Sequence, residues 1–566
     1  HNLSFDGRFL IHWGLENKDY INHEDGLEMK IIYNHGIIGI IFRYFCPQRE
    51  KKVIIKIIDS LRILLMGQAK LEEVFLGKKV KVDIDWEKEV SDEQIIERVV
   101  NDVKGMHQVL MVFFNQLHDN YGVWGCGMFT LPSIAIKIYR VNYMPYAIYN
   151  PFIRYEKGRK MQPNLMLDKV MRRAYYGGRV EVFGYDMDLV KEDNQWIMKK
   201  NGKVIEEMDA NSLFPTQFSK PYPIGKYKIY TIDDFDGLPP EKYEGIFVGK
   251  LYERYSYLPV LPTRYTGKTK YGYGEKIGSY PLPLIRYTND LGLLDILDGW
   301  WILTDSVGTP FKDFADGLYE HRVKMQDEGN YAMSYVDKIC LNGFYGKYGQ
   351  SFNTTSYDLF KGDADIFSDE LLSQTVYQKD DYFIVSKDIE MVRQHQMVDK
   401  ALYTTAYANI DWHKQALKCE TLLYADTDSI HGTGLNHIPK GRSLGEWKPE
   451  YHKILQAVYI TPKVYWILYE DEEGNQKTQC KAKGFPKSLF QDDKGKPRKV
   501  SLWEFLDIIR TGFEKPVYMS LKQAMRQAGT PLAHHVFSRR IINDESEKRY
   551  FKQDGTSEPY EIRPPY

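Results

Sequence analysis

The chain has 566 residues, 43% of them hydrophobic and 27% charged, an ordinary balance for a soluble globular protein. That length excludes a single hydrophobic core, so several subdomains are expected. A formal net charge of -1 excludes a chain that is basic overall, so basic groups serving an anionic partner must be concentrated on one face. In chain order, the longest apolar run, around Gly36 to Phe42, is a buried strand by its length, and no run is long enough to span a membrane. Ser91 and Gln94 then form a capping box that starts a helix. Its predicted apolar stripe is Ile95, Val99, Val103, Met106, Leu110 and Phe113, and Asp102 beside that stripe is expected to face the interior, which favours a metal role over solvation.

Val204-Ile205 leads into Asp209-Ala210-Asn211-Ser212-Leu213-Phe214-Pro215. This predicts a strand ending in a carboxylate, a turn capped by Asn211 or Ser212, and Pro215 early in a helix. The junction offers the Asp209 carboxylate and the Ala210 carbonyl to a cation, with helix-start N–H groups facing phosphate oxygens. Between Pro215 and Lys312 turn signals recur (Pro221, Pro223, Pro239-Pro240, Pro259, Pro262, Pro281, Pro283), and the stretch is too long for a loop, so a folded insertion is expected. Thr266-Gly267-Lys268-Thr269 hints at a phosphate loop, but Pro262 replaces the required upstream glycine, and Gly272-x-Gly274 lacks a strand-to-helix setting. Both read as loop residues.

Lys338, Asn342 and Tyr345 stand at i, i+4 and i+7, one polar stripe on a predicted helix that suits a nucleoside triphosphate. Taken alone, the segment also reads as an amphipathic surface helix. Tyr424-Ala425-Asp426-Thr427-Asp428-Ser429-Ile430-His431 predicts a β-hairpin with two carboxylates at its tip. Two aspartates one residue apart in extended backbone point to the same face and repel unless a cation sits between them, Mg²⁺ first among the candidates. A calcium loop is excluded, because the apolar Ile430 stands where a ligand is needed. Lys481, Lys483 and Lys487, then Lys494, Lys496, Arg498 and Lys499, make the clearest basic cluster. The cysteines (Cys46, Cys126, Cys340, Cys419, Cys480) are dispersed without a Cys-x-x-Cys pair, which disfavours structural zinc or disulfides and suits a reducing compartment.

Three of these segments together resemble the family B DNA polymerases. Asp209 to Pro215 looks like the family's first palm motif, Lys338 to Gly346 its fingers motif and Tyr424 to Ser429 its second palm motif, in the family's order. Tyr175-Tyr176-Gly177-Gly178 resembles the aromatic-x-Gly-Gly motif of the protein-primed subgroup, and Lys463-Val464-Tyr465 its Lys-x-Tyr motif, which holds the primer end. Thr405-Ala406-Tyr407-Ala408 resembles a template-contacting motif, with Asn409 where a basic residue is expected. His1 to Gly7, including Asn2, Phe5 and Asp6, resembles the second motif of the proofreading exonuclease. Asp59-Ser60-Leu61 looks like a segment that contacts single-stranded DNA, Trp86 falls where the subgroup places an aromatic, and Asp102 matches the third exonuclease aspartate, with Arg98 where a tyrosine is expected. The family's Asp-x-Glu pair is not in the chain, so the chain as given is expected not to proofread.

The resemblance implies an α/β and α+β multidomain fold: a right-hand polymerase with two insertions and a truncated RNase H-like exonuclease domain. The expected parts are exonuclease-like 1–118, palm 119–216, first insertion 217–312, fingers 313–349, second insertion 350–398, palm 399–482, and thumb with C-terminal extension 483–566. The implied activity is template-directed dNTP addition using two Mg²⁺ ions, for which Mn²⁺ can substitute. Asp209 and Asp428 would bridge the metals beside Asp426, and Lys338, with Arg322 or Lys324, would bind the triphosphate. Phe214 would exclude ribonucleotides. The implied partners are template and primer DNA, dNTPs and a separate terminal protein whose hydroxyl primes synthesis, with the host cytoplasm or mitochondrial matrix as setting. A non-catalytic nucleic-acid-binding descendant of a polymerase is the rival reading, to which Gly343 and Asn409 lean; the three intact aspartates lean against it.

Overall fold

The computed structural model describes residues 3–16, 28–33, 37–46, 50–84, 89–155, 161–184, 189–192, 195–198, 205–265, 267–361, 375–379, 382–390, 392–492, 495–520, 523–524, 527, 530, 532–541, 548–552 and 556–564. Asn2 and Trp86 lie outside them, as does the side chain of Phe5. The chain forms two compact units, one of residues 1–145, 316–396 and 516–537, the other of 146–315, 397–515 and 538–566.

In the first unit, β-branched and aromatic runs build a six-stranded antiparallel sheet. Its strand order is Thr375–Lys379, Tyr382–Glu390, Asn353–Lys361, Glu28–Tyr33, Ile37–Cys46, Lys51–Ile58. The predicted buried strand is Ile37–Cys46, whose Ile37, Ile40 and Phe42 are in the core. Segments assigned from sequence to the exonuclease-like part and to the second insertion meet in this one sheet, with Ile31 opposite Tyr357. The helix Asp92–Tyr121 starts at the Ser91–Gln94 capping box and ends at Gly122, whose φ of 63° closes it. Its buried stripe is Met106, Val109, Phe113, Leu117 and Tyr121, which keeps Met106 and Phe113 of the predicted stripe and runs on toward the C-terminus of the helix. Val99 and Val103 of the predicted stripe are instead 55% and 64% exposed.

The helix Tyr331–Tyr348, capped by Asn330 Oδ1 on Met333 N (3.1 Å), buries Met333, Val336, Cys340, Leu341 and Phe344. It packs on the helix Leu131–Ile138, where Phe344 meets Tyr139 edge-on at 5.2 Å. Gly343 faces Pro132, and a Cβ there would stand 3.0 Å from the Pro132 ring. The missing side chain of Gly343 therefore permits close helix packing.

The second unit is built on a five-stranded antiparallel sheet ordered Trp447–Pro449, Glu206–Ala210, Ser429–Thr433, Thr421–Asp426, Val180–Val182. Period-two alternation sorts its residues: Met208, Ala210, Ala425 and Ile430 pack on the helix Val398–Ala416 through Ala408 and Trp412. Trp412 Nε1 also donates to Ser429 O (3.1 Å), which fixes that helix beneath the central hairpin. The long Pro-rich stretch is a folded insertion: strands Lys228–Thr231, Leu294–Thr304, Glu244–Glu253 and Tyr273–Pro281 form a sheet over a core of Phe247, Leu251, Tyr280 and Trp301. The rejected phosphate-loop signal lies in a tight hairpin between Pro262–Tyr265 and Lys268–Tyr271, with Gly267 at φ 77°. A three-stranded sheet (Lys453–Thr461, Val464–Glu470, Gln476–Ala482) follows, covered by the amphipathic helix Leu502–Thr511 through Phe505 and Ile509. Residues 516–537 belong to the first unit and 538–566 to the second, so the expected thumb segment is divided. Among the described residues no helix is long and apolar enough to cross a membrane.

Candidate active site

The same alternation that sends Met208 and Ala210 into the core turns Glu207 and Asp209 to the opposite face of the sheet. Asp209 pairs in register with Ser429, and Ala210 N donates to Asp428 O (2.9 Å), so the two carboxylate positions adjoin on neighbouring strands. The hairpin is as predicted from Thr421–Asp426 and Ser429–Thr433, but its tip is not extended. Asp428 N donates to Asp426 O (2.8 Å) across Thr427, whose φ is 68°, and this i to i+2 bond is a γ-turn. A left-handed β-branched residue is strained, so something must hold it there. Thr427 N donates to Arg179 O (2.7 Å), and Gly178 leaves the room, since a Cβ at 178 would stand 2.5 Å from Thr427 Cγ2. Gly178 thus lets the hairpin tip seat against the segment that begins at Tyr175.

Burial and the neighbouring Asp428 charge push the Asp209 carboxyl up to about 7. Burial also raises Asp428, with the charge of Asp426 adding to it. Two half-buried carboxylates side by side are what a hard cation stabilises. Asp426 differs: its Oδ1 pairs with Lys463 Nζ (2.9 Å) and its Oδ2 accepts from Tyr424 Oη (3.3 Å). Lys463 has φ 65° and its N–H donates to Tyr424 Oη (2.9 Å), so one tyrosine hydroxyl links the lysine turn to the aspartate. Among the described residues no group of three or more His, Cys, Asp or Glu side chains could hold a metal alone. A pair of carboxylates with the remaining positions left to water and phosphate is nonetheless the habit of Mg²⁺, so the donor set fits that ion.

Below the carboxylates lies a buried aromatic layer. Tyr424 stacks on Tyr459 (5.1 Å), and His431 bridges Tyr459 Oη (2.9 Å) and Glu207 (3.2 Å). Tyr465 is 6% exposed in this layer, so its ring supports Tyr424 and contributes only an edge to the cleft above. That cleft, of roughly 400 Å³, runs from Asp426 and Lys463 along Lys481, Lys483 and Lys487 to Phe485 and Phe490. The basic cluster read from sequence therefore begins at the carboxylates.

Other site expectations need correction. Ser212 occupies the helix cap position at φ 56° without a side-chain cap, while Asn211 Nδ2 donates to Gly441 O (2.8 Å) and ties the turn elsewhere. Phe214 is half-buried at the rim of the core. Thr405 is buried with its hydroxyl donating to Leu402 O (3.0 Å), and Asn409 Nδ2 reaches Gly177 O (3.5 Å). Tyr175 is half-buried, its carbonyl accepting from Arg264 Nη2 (2.6 Å), and Gly177 is exposed. Lys338 and Asn342 are exposed with Tyr345 half-buried, one stripe of Tyr331–Tyr348 as predicted. Lys324 is engaged by Glu328 (3.8 Å), and the Arg322 guanidinium lies over Tyr319 (5.7 Å).

The N-terminal carboxylates form no such site. Asp6 is exposed on the helix Leu3–Glu16, and Asp102, half-exposed, pairs with Arg98 (3.8 Å) one turn before it. Ser60 is buried in a short turn where Asp59 Oδ1 accepts from Leu61 N (3.0 Å). Sequence reasoning missed Lys448, which sits opposite Asp209 and offsets part of the rise at both Asp209 and Asp428. It missed Arg179 and Arg264 as well. Arg179 directly follows the Tyr175–Gly178 motif, a signal that could have marked it, whereas Lys448 and Arg264 stand at no motif spacing.

Residues 69–429 match the family described as DNA polymerase type B, organellar and viral. The chain is 28% identical over 520 residues to the DNA polymerase of Bacillus phage Nf, covering 85% of this chain and 80% of that one. It is 26% identical over 505 residues to that of Bacillus phage phi29, with 82% and 76% covered. Its fold resembles Phi29 DNA polymerase complexed with primer-template DNA and incoming nucleotide, at a TM-score of 0.67 and 21% identity over 95% of this chain and 89% of that one.

Proposed function

From the premise that the chain belongs to the organellar and viral type B family and is a DNA-directed DNA polymerase, we propose that Asp209 and Asp428 hold the divalent metal ions of nucleotide addition. The carrying observation is their juxtaposition on adjacent strands, with Asp209 raised to about 7 by burial and its neighbour's charge. When bound, two Mg²⁺ ions lower the pKa of the primer hydroxyl and neutralise the triphosphate and the leaving pyrophosphate. Asp209 and Asp428, ionised, fix the ion positions, with the Ala210 carbonyl beside them. Lys463 neutralises Asp426 and presents a cation to the primer end, and the lysines of the cleft track the backbone phosphates.

Phe214, at the rim of the core, packs under the sugar and excludes a 2′-hydroxyl. The stripe Lys338, Asn342 and Tyr345 offers a cation, an amide and an aromatic to a nucleoside triphosphate, with Arg322 as a second cation. Tyr175, Gly177 and Gly178 line the DNA path next to the hairpin tip. A separate terminal protein supplies the priming hydroxyl, as the likeness to phage polymerases over most of their length suggests, and synthesis displaces the non-template strand. The test is primer extension with Mg²⁺, comparing dNTP with NTP, for the wild type and Asp428→Asn. Retained extension in the mutant would remove this pair from the active site.

A further inference from the structure

The γ-turn that carries Asp428 is held from outside its own hairpin, and the holding network ends in the last residues of the chain. Thr427 N–H is taken by Arg179 O, and Arg179 is itself buried: Nε donates to Glu181 (2.7 Å), Nη1 donates to Pro259 O (2.8 Å), and the guanidinium lies over Tyr271 at 4.2 Å. Glu181 is fully buried on the edge strand Val180–Val182, which pairs with the catalytic strand through Ala425 opposite Glu181 and Asp426 opposite Val180. Its second oxygen faces Arg549 Nη1 at 3.6 Å.

Arg549 is 1% exposed, 368 residues beyond Glu181 in sequence terms and in contact with it in space. Its Nε donates to Ser557 Oγ (2.8 Å), its Nη2 donates to Tyr257 O (3.0 Å), and its guanidinium stacks over Phe183 and Tyr257 at 4.8 and 4.7 Å. On either side the same segment seizes the edge strand's backbone: Lys548 Nζ donates to Val180 O (2.8 Å), and Ser557 Oγ donates to Phe183 O. Gly184 bridges Thr556, and Glu561–Ile562 adds a parallel strand beside Tyr273–Pro281. The free edge of the catalytic sheet is thus met by Lys548, Thr556 and Ser557.

A buried Arg–Glu–Arg triad is poor value as stability, since desolvation of three charges offsets most of their attraction. What it provides is geometry, because each guanidinium donates to several fixed acceptors and lies against aromatic faces. We propose that Arg549 is a positioning residue: through Glu181 and Arg179 it holds Thr427 in its strained conformation and so sets the Asp428 carboxylate against Asp209. This rests on the assignment of Asp209 and Asp428 as metal ligands.

The experiment compares Arg549→Met, Arg549→Lys and the milder Ser557→Ala in the full chain, reading single-turnover extension rate, dNTP KM, primer-template Kd and the Mg²⁺ concentration for half-maximal rate. In Arg549→Met the rate is expected to fall roughly ten- to hundredfold with Kd and KM unchanged. The Mg²⁺ requirement should rise, because a displaced Asp428 holds metal less well. Arg549→Lys should recover part of the rate, and Ser557→Ala should show the same pattern more weakly. An unchanged rate and Mg²⁺ requirement in Ser557→Ala and Arg549→Met overturns the proposal, as does a rate loss that follows lost DNA binding at constant Mg²⁺ requirement. If Asp428→Asn is itself active, the metal-ligand assignment has failed instead.

Discussion

Two carboxylate pairs in this molecule began as equals in the sequence and became opposites in the structure. Asp209, near the end of its strand, and Asp428, in the hairpin turn beside it, are half-buried; burial raises both, with Asp428's charge adding at Asp209 and Asp426's at Asp428. Asp6 is exposed on a helix, and Asp102 turns to an arginine in its own helix. The difference teaches that a hard-cation site is made by desolvating like charges together. An aspartate answered by a guanidinium one turn away has already found its counter-ion. Asp426 shows the intermediate case, close to the pair but answered by Lys463.

The contrast breaks most sharply under Asp428→Asn, which is expected to lower nucleotide addition roughly a thousandfold, the scale of several kcal/mol of metal-borne charge stabilisation. DNA binding, read by gel shift, should stay near the wild-type value, since the lysines of the cleft are untouched. Phe214→Ala is expected to raise ribonucleotide incorporation relative to dNTP by about tenfold or more, the scale of one lost steric contact. Equal discrimination in mutant and wild type would show that the ring does not meet the sugar. Lys463→Ala should reduce extension about tenfold, the scale of one lost charge-assisted contact, and weaken primer-end binding while freeing Asp426. A rate above wild type would mean that the ion pair is inhibitory.

A titration sharpens the comparison. Because the folded Asp209 carboxyl is raised from 3.8 to about 7, the folded state holds its proton more tightly than the unfolded state does. Its contribution to stability is therefore full below about pH 4 and lost as pH rises through 7. Metal-free wild type should lose melting temperature over that window relative to Asp209→Asn, and Mg²⁺ should flatten the loss. An identical pH dependence in both proteins would show that burial and Asp428's charge do not raise the Asp209 carboxyl. The smallest effect is expected at the other pair: Asp6→Ala and Asp102→Asn should leave extension within about twofold, as surface changes do. Digestion of a 3′-mismatched strand with Mg²⁺ or Mn²⁺ should be slow in wild type and insensitive to Asp6→Ala. Clear digestion that disappears in Asp6→Ala would show that these carboxylates assemble after all.

The parts of the site legible in the sequence were those whose geometry is local. The hairpin at Asp426–Ser429, the carboxylate at the end of Glu206–Ala210, and the stripe of Lys338, Asn342 and Tyr345 each follow from a period of two or of 3.6 within a few residues. Their chain order sufficed for the family likeness. What the sequence did not contain was the partner of each element. The helix Asp92–Tyr121 carries apolar residues along its whole length, and only packing decided that Met106 to Tyr121 would be buried and Val99 and Val103 would not. Thr405, which motif position puts beside DNA, is buried in the helix Val398–Ala416, and Tyr465 is mostly enclosed by the aromatic layer while still lining the cleft.

The left-handed turn at Thr427 is not readable from Asp-Thr-Asp at all. It requires the absent Cβ of Gly178, the carbonyl of Arg179, and behind them Glu181 and Arg549. Local backbone preference determined which residues could carry the chemistry. Contacts between positions hundreds of residues apart decided which carboxylates lost their water and which found a cation, since desolvation belongs to the packed structure and not to any segment of it.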